Sequence, residues 1–310
     1  MKNNWLKGTL LVILSTFAYG SIPVITKLSF EEGLNVSSIL FFRFFIAAII
    51  TWGYIFSKNM HYKTSLSHFL YLLLLGAVGF LGTSFFICSA YTYISGSLAT
   101  IILFTHPAMI AGYEMVVLKE EKDIRKLLAL IVSGIGMVLV VWSDNIHINL
   151  IGVIFSLLSA LCYSFYALGL SEKRTKAMNS VVVAGYVAFS CAAVYFIQGM
   201  LNNNIFLPST SKGWMYIFIQ ALFCTVFPTI AFCKGVQLIG SSTSVIISTF
   251  EPVVACITGF FILGEVLTLP MMLGGVLILS AIFILQIPKE IKITLLNESG
   301  QKRFNKNRGV

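Results

Sequence analysis

Charge is what this chain has least of. Of its 310 residues 12 are Asp or Glu and 21 are Lys or Arg, 11% in all, where soluble globular domains carry about 25%. With 57% hydrophobic residues, 26 Phe and a mean hydropathy of +0.90, the polar groups are too few to cover a compact surface in water, so lipid must be the solvent. Other absences remove whole classes of chemistry. No glycine is followed by lysine, which excludes a phosphate-binding G-x-x-x-x-G-K-[ST] loop and so excludes ATP drive through this chain alone. No G-x-S-x-G, H-E-x-x-H or G-x-G-x-x-G occurs, which takes away the usual hydrolase, metalloprotease and dinucleotide signals. The six cysteines, Cys88, Cys162, Cys191, Cys224, Cys233 and Cys256, lie singly in apolar runs without a C-x-x-C pair. They read as small hydrophobes, and neither a metal nor a cofactor is expected.

What is present is a series of apolar runs. A helix crossing about 30 Å of hydrocarbon needs roughly 20 residues, and ten runs fit: 6–28, 36–57, 67–93, 96–118, 125–142, 149–170, 179–201, 213–234, 242–263 and 267–287. The opening Lys2 and Lys7 followed by Gly8 to Ile25 reads as the first span rather than a signal peptide. Basic residues orient the series. With both termini cytoplasmic, Lys27 and Lys212 fall outside and Arg43 falls within a span, leaving the other 18 basic residues inside. The net charge of +9 is therefore a topology signal for a multi-pass protein of the cell membrane, and not a nucleic-acid footprint. The basic tail 288–310 should lie against anionic lipid.

The chain also repeats itself. At an offset of 144, Gly8, Ser15 and Tyr19 match Gly152, Ser159 and Tyr163. At 145, Cys88, Ser97, Pro107, Leu118 and Glu120 match Cys233, Ser242, Pro252, Leu263 and Glu265. Two halves, 1–145 and 146–287, follow. Each holds five spans, an odd number, so the second enters the membrane from the opposite side. Inverted repeats of this kind are a transporter architecture with a midplane site and alternating access.

The ten spans, the Arg in the second of them, the small-residue run ending at Pro107 or Pro252, and the Leu118-Lys119-Glu120 and Leu263-Gly264-Glu265 stretches that follow resemble the EamA-type branch of the drug/metabolite transporter superfamily. The resemblance covers about residues 8 to 287. It implies a ten-helix basket around a central cavity, in a family of exporters of amino acids and other small metabolites.

Ionisable groups in hydrocarbon are costly unless paired or hydrated, so each one in a span is a functional candidate. Glu251 lies about 12 Å into the ninth span and His106 about 15 Å into the fourth, both near mid-bilayer at 1.5 Å per residue. An in-plane two-fold axis would let them face each other across a cavity. Each precedes a proline, and Pro107 and Pro252 free a carbonyl one turn back and act as hinges. Glu251 would bind a substrate ammonium or a coupling proton, and His106 would pair with it or share the proton. The plainer reading is that both satisfy the backbone groups the prolines open. Arg43, within Phe41-Phe42-Arg43-Phe44-Phe45, suits cation–π burial, an ion pair, a lock between helices, a gate or an anion contact. Tyr19 and Tyr163, each four residues after a serine, share a face with it that could line the cavity or pack structurally. Glu114 and Lys234 sit near span ends, where snorkelling explains them. Gly134, Gly136, Gly274 and Gly275 suit close helix packing and would also serve a homodimer.

These readings converge on a secondary active transporter, an exporter of small organic metabolites such as amino acids. The competing classes are a membrane-embedded enzyme acting on a lipid or isoprenoid, and a non-transporting scaffold.

Overall fold

With apolar side chains at most positions, the backbone must satisfy its own N–H and C=O groups, and the helix does this within one segment. In the computed structural model, which describes residues 2–117, 124–141, 149–170, 172, 175, 177–239, 247–248 and 250–286, all regular structure among the described residues is helical. The basic tail, Leu118-Lys119-Glu120 and Ser242 lie outside the described residues, as do the side chains of Glu114 and Cys233.

The helices of the first half are α1 (Lys2–Gly20), α2 (Ile22–Glu31), α3 (Val36–Ser57), α4 (Leu66–Leu74), α5 (Leu81–Ala90), α6 (Gly96–Leu103), α7 (His106–Val116) and α8 (Ile124–Val141). Those of the second are α9 (Leu150–Leu170), α10 (Ser180–Asn202), α11 (Ser211–Ala221), α12 (Phe227–Ile239), α13 (Glu251–Leu263) and α14 (Leu269–Gln286). Starts are set by short polar side chains. Asn35, Ser65, Ser95, Asn149, Asn179 and Thr210 each accept a hydrogen bond from a first-turn amide.

Six helical stretches are long and apolar enough to cross a membrane: Trp5–Glu31, Val36–Ser57, Leu66–Ala90, Leu150–Leu170, Ser180–Leu201 and Ser211–Phe232. Four shorter apolar stretches accompany them, at Gly96–Ile110, Leu127–Leu139, Glu251–Leu263 and Leu269–Ile284. The fourth expected span is thus not one continuous helix. The chain breaks at Phe104 and Thr105, and α7 begins at His106 with Pro107 in its first turn. Pro252 sits in the same place in α13, which begins at Glu251. Proline lacks the N–H that would continue the preceding helix but suits the first turn of a new one. Pro23 likewise opens α2 after a break at Ser21.

Two long helices also widen by one residue per turn. A π-helical segment, π1 (Leu75–Phe80), joins α4 to α5, and another, π2 (Leu222–Val226), joins α11 to α12. At the 145-residue offset the two overlap.

Tertiary contacts obey the same offset. Ser15 Oγ on α1 donates to the Pro228 carbonyl at 2.9 Å, and Ser159 Oγ on α9 donates to the Thr83 carbonyl at 2.8 Å. Gly8 packs on Leu238 and Ile239, while Gly152 packs on Tyr93 and Ile94. Polar residues are turned inward: Ser15, Ser159, Gln220 and Arg43 are buried, whereas Phe17, Leu201, Phe261 and Val276 point outward. That is the reverse of a protein covered by water and is the pattern lipid selects.

At one end of the bundle the helices are tied by a carboxylate. The left-handed Gly264 (φ 65°) ends α13 and turns the chain back, the Glu265 amide donating to the Gly259 carbonyl at 3.1 Å. Glu265, its side chain 6% exposed, then accepts from the Gly96 amide at 2.7 Å, the Ser97 amide at 3.1 Å and Ser97 Oγ at 2.6 Å. Lys27 Nζ on α2 lies 3.2 Å away. A carboxylate on the first amides of α6 meets the positive end of that helix. Room for it depends on Gly259, where a Cβ would stand 2.5 Å from Glu265 Oε2. Burial by itself would raise the pKa of Glu265, but the Ser97 and Gly96 hydrogen bonds and Lys27 outweigh it and hold the carboxyl below the usual range. The stabilisation should therefore be complete above the ordinary carboxylate pKa of about 4.3 and fade as pH falls through the lower folded value. In thermal unfolding in detergent, Glu265→Gln should cost on the order of 2–3 kcal/mol near neutral pH. The gap to wild type should close in acid.

Candidate functional site

The helices enclose a cavity of about 560 Å³, within the range of small-molecule sites. Its lining includes Thr175, Met178 and Ser180, in and after the connection that follows α9, and also Pro23, Tyr91 and Thr100. Pro23 abuts Gly96, so the Glu265 clasp lies directly behind that part of the wall.

All five intramembrane candidates, Tyr19, Arg43, His106, Tyr163 and Glu251, line this one cavity. Arg43 is 4% exposed on α3. Its Nε donates to Thr225 Oγ1 at 2.8 Å, its Nη2 donates to the Cys224 carbonyl at 3.3 Å, and its guanidinium carbon lies 5.4 Å from the Phe44 ring centre. The acceptor is fixed by π2. Thr225 spends its own hydroxyl proton on the Gln220 carbonyl at 2.8 Å, five residues back across the widened turn, so its oxygen is left to receive Arg43. Thr229 Oγ1 donates to the Thr225 carbonyl at 2.6 Å, and Tyr19 OH lies 3.0 Å from that same Thr229 oxygen. The polar side of the cavity is thus a connected chain from Tyr19 to Arg43.

His106 and Glu251 are each the first residue of a helix, but they do not form an ion pair. His106 Nδ1 donates to the Leu103 carbonyl at 3.0 Å, the group that the missing amide of Pro107 leaves open. The ring packs edge-on against Tyr163 with centroids 4.4 Å apart. Glu251 has no hydrogen bond or ion pair to any described residue, and its carboxylate oxygens are not sealed off. At the head of α13 it stands at the positive helix end. A cavity holding an open carboxylate and a guanidinium that are not bonded to each other can take a polar organic molecule between apolar walls. No group of His, Cys, Asp and Glu among the described residues could hold a metal ion.

The profile of the EamA-like transporter family matches residues 6–142 and again 150–287. The chain belongs to this family. EamA proteins form part of the drug/metabolite transporter superfamily. Among its relatives are a protein of Archaeoglobus fulgidus named an uncharacterized transporter, 22% identical over 90% of this chain and 96% of its own, and the uncharacterized inner membrane transporter YicL of Salmonella typhimurium, 24% identical over 91% and 95%. The uncharacterized transporter YcbK of Bacillus subtilis is 22% identical over 86% of this chain and 88% of its own. A crystal structure aligns with a TM-score of 0.62 over 89% of this chain and 96% of that one, at 15% identity, which bears on the fold alone. With its apolar helices, the family makes this EamA chain a multi-pass membrane transporter.

Arg43 and Glu251 stand out in the sequence by their charge, whereas Thr225, Thr229, Phe80 and Tyr166, which line the same cavity, do not. A signal for two of them existed, since Phe80 and Thr225 stand 145 apart. His106 acts on its own backbone, which gives a direct check. His106→Asn, whose amide can donate to the same carbonyl, should retain thermal stability, whereas His106→Phe should lose about 1 kcal/mol, as read by unfolding in detergent.

Proposed function

We propose that this protein is a secondary active exporter of small organic metabolites such as amino acids, working by alternating access at a midplane cavity. Two inverted five-helix repeats, 1–145 and 146–287, build it in the cell membrane with both termini and the basic tail cytoplasmic. The repeat reading is supported by contacts that recur at one offset, Ser15 with Pro228 and Ser159 with Thr83, and by the two π segments. The orientation rests on the basic residues.

The observation that carries the transport reading is a cavity that holds both Arg43 and Glu251 and whose lining includes Pro23, backed by the Glu265 clasp, and residues of the segment after α9. Under the basic-residue orientation the clasp is on the outer side and the segment after α9 on the cytoplasmic side, so the cavity draws its lining from both sides of the protein, as alternating access requires. Arg43 would meet the substrate's anionic group. Glu251 would meet an ammonium or carry a proton, and the prolines at 107 and 252 would serve as hinges where each helix restarts.

Purified protein in proteoliposomes should show counterflow of an amino acid, with a rate that depends on pH. Glu251→Gln should flatten that dependence. Counterflow with an unchanged pH profile in the variant would remove Glu251 from coupling, and no counterflow of any metabolite would remove the transport reading.

A further inference from the structure

The two charges in the cavity are not equivalent. A carboxylate can meet an apolar surrounding by taking up a proton, whereas a guanidinium keeps its charge at any accessible pH. Arg43 is nearly buried, and both of its protein acceptors, the Thr225 hydroxyl and the Cys224 carbonyl, are neutral. Arginine has five N–H donors. Two are engaged, and Nη1 makes no hydrogen bond, yet it is not among the buried atoms lacking a partner, so it opens to the cavity. Glu251 is the one carboxylate lining that cavity among the described residues, and it does not reach Arg43. An unpaired buried cation is a large penalty. Here it is held in place by π2, as preorganised binding requires.

The rest of the lining is divided. At the offset that relates the halves, Thr225 corresponds to Phe80, and Arg43 corresponds to Val187 at 144 or Ala188 at 145. All three line the cavity. Phe80 packs against Tyr166 with ring centres 5.2 Å apart. The polar residues that hold Arg43 thus correspond to apolar ones in the other half, and Phe80 and Val187 offer an apolar body a surface within the same cavity.

Resting on the reading of this cavity as the substrate site, we infer that the group the protein recognises is the acid: its substrates are organic anions with an apolar or aromatic body, and an amino group is dispensable. The anionic head lies on Arg43 Nη1 and the body lies toward Phe80, Tyr166 and Val187. A neutral or cationic ligand of the same shape leaves the guanidinium unpaired and binds more weakly.

Three probes with one body and different heads decide this: phenylacetate, phenylacetamide and phenethylamine. In equilibrium dialysis of the full-length protein in detergent, phenylacetate should bind at least about tenfold more tightly than the other two. Arg43→Gln should abolish the preference, and Arg43→Lys should keep part of it. Amide or amine binding as tight as the acid, absence of acid binding, or an acid preference surviving in a folded Arg43→Gln protein would each overturn the inference. The wild-type comparison stands if Arg43→Gln does not fold. Counterflow of an amine without acid binding would sink this inference while leaving the transport reading intact, so the two fail separately.

Discussion

In hydrocarbon there is no water to accept a stray backbone group, and that constraint organises this protein. Pro107 deletes one donor within the helix bundle, and the chain answers with a side chain, His106 Nδ1 on the Leu103 carbonyl. At π2 the Thr225 hydroxyl donates to the Gln220 carbonyl across the widened turn. Ser15 and Ser159 add hydrogen bonds to the Pro228 and Thr83 carbonyls from a neighbouring helix. Of these side chains Ser15, His106 and Thr225 line the cavity, so groups that serve the backbone also form part of its polar lining.

The same constraint explains why so few side chains carry the function. Arg43 is tolerated because its partners were already required for the backbone: Thr225 is fixed by the widened turn, and the Cys224 carbonyl belongs to it. Glu251 stands at a helix start, where the helix field favours a negative charge and proline has already broken the ladder. At the bundle end Glu265 is bonded on both oxygens and paired with Lys27, and among the described residues it is the acid that closes rather than opens the structure.

Much of this was legible in the sequence. Hydropathy and the shortage of charge marked the apolar helices, and Arg43, His106 and Glu251, the ionisable residues within those runs that stood out, line one cavity. The legible part was whatever depends on composition or on spacing along one helix. A π turn leaves no such trace: Leu75–Phe80 and Leu222–Val226 share no residue pattern, the first having two glycines and the second none. The Glu265 clasp was half visible. The Leu263-Gly264-Glu265 stretch stood out, but its bonds go to Gly96 and Ser97, 169 and 168 residues away. The role of His106 was open between proton chemistry and backbone repair, since only coordinates show which atom faces the ring nitrogen.

The π segments also set the phase of the helices that contain them. An α-helix turns 100° per residue, and one extra residue in a turn rotates everything beyond it by about that angle. Upstream of π2, Gln220 faces α2 through Ser29. Downstream, Gly235 and Ile239 face α1 through Val12 and Gly8. One rod therefore serves two neighbours that a regular helix would present in the wrong rotation, and the widened turn acts as a coupling between two independently indexed shafts.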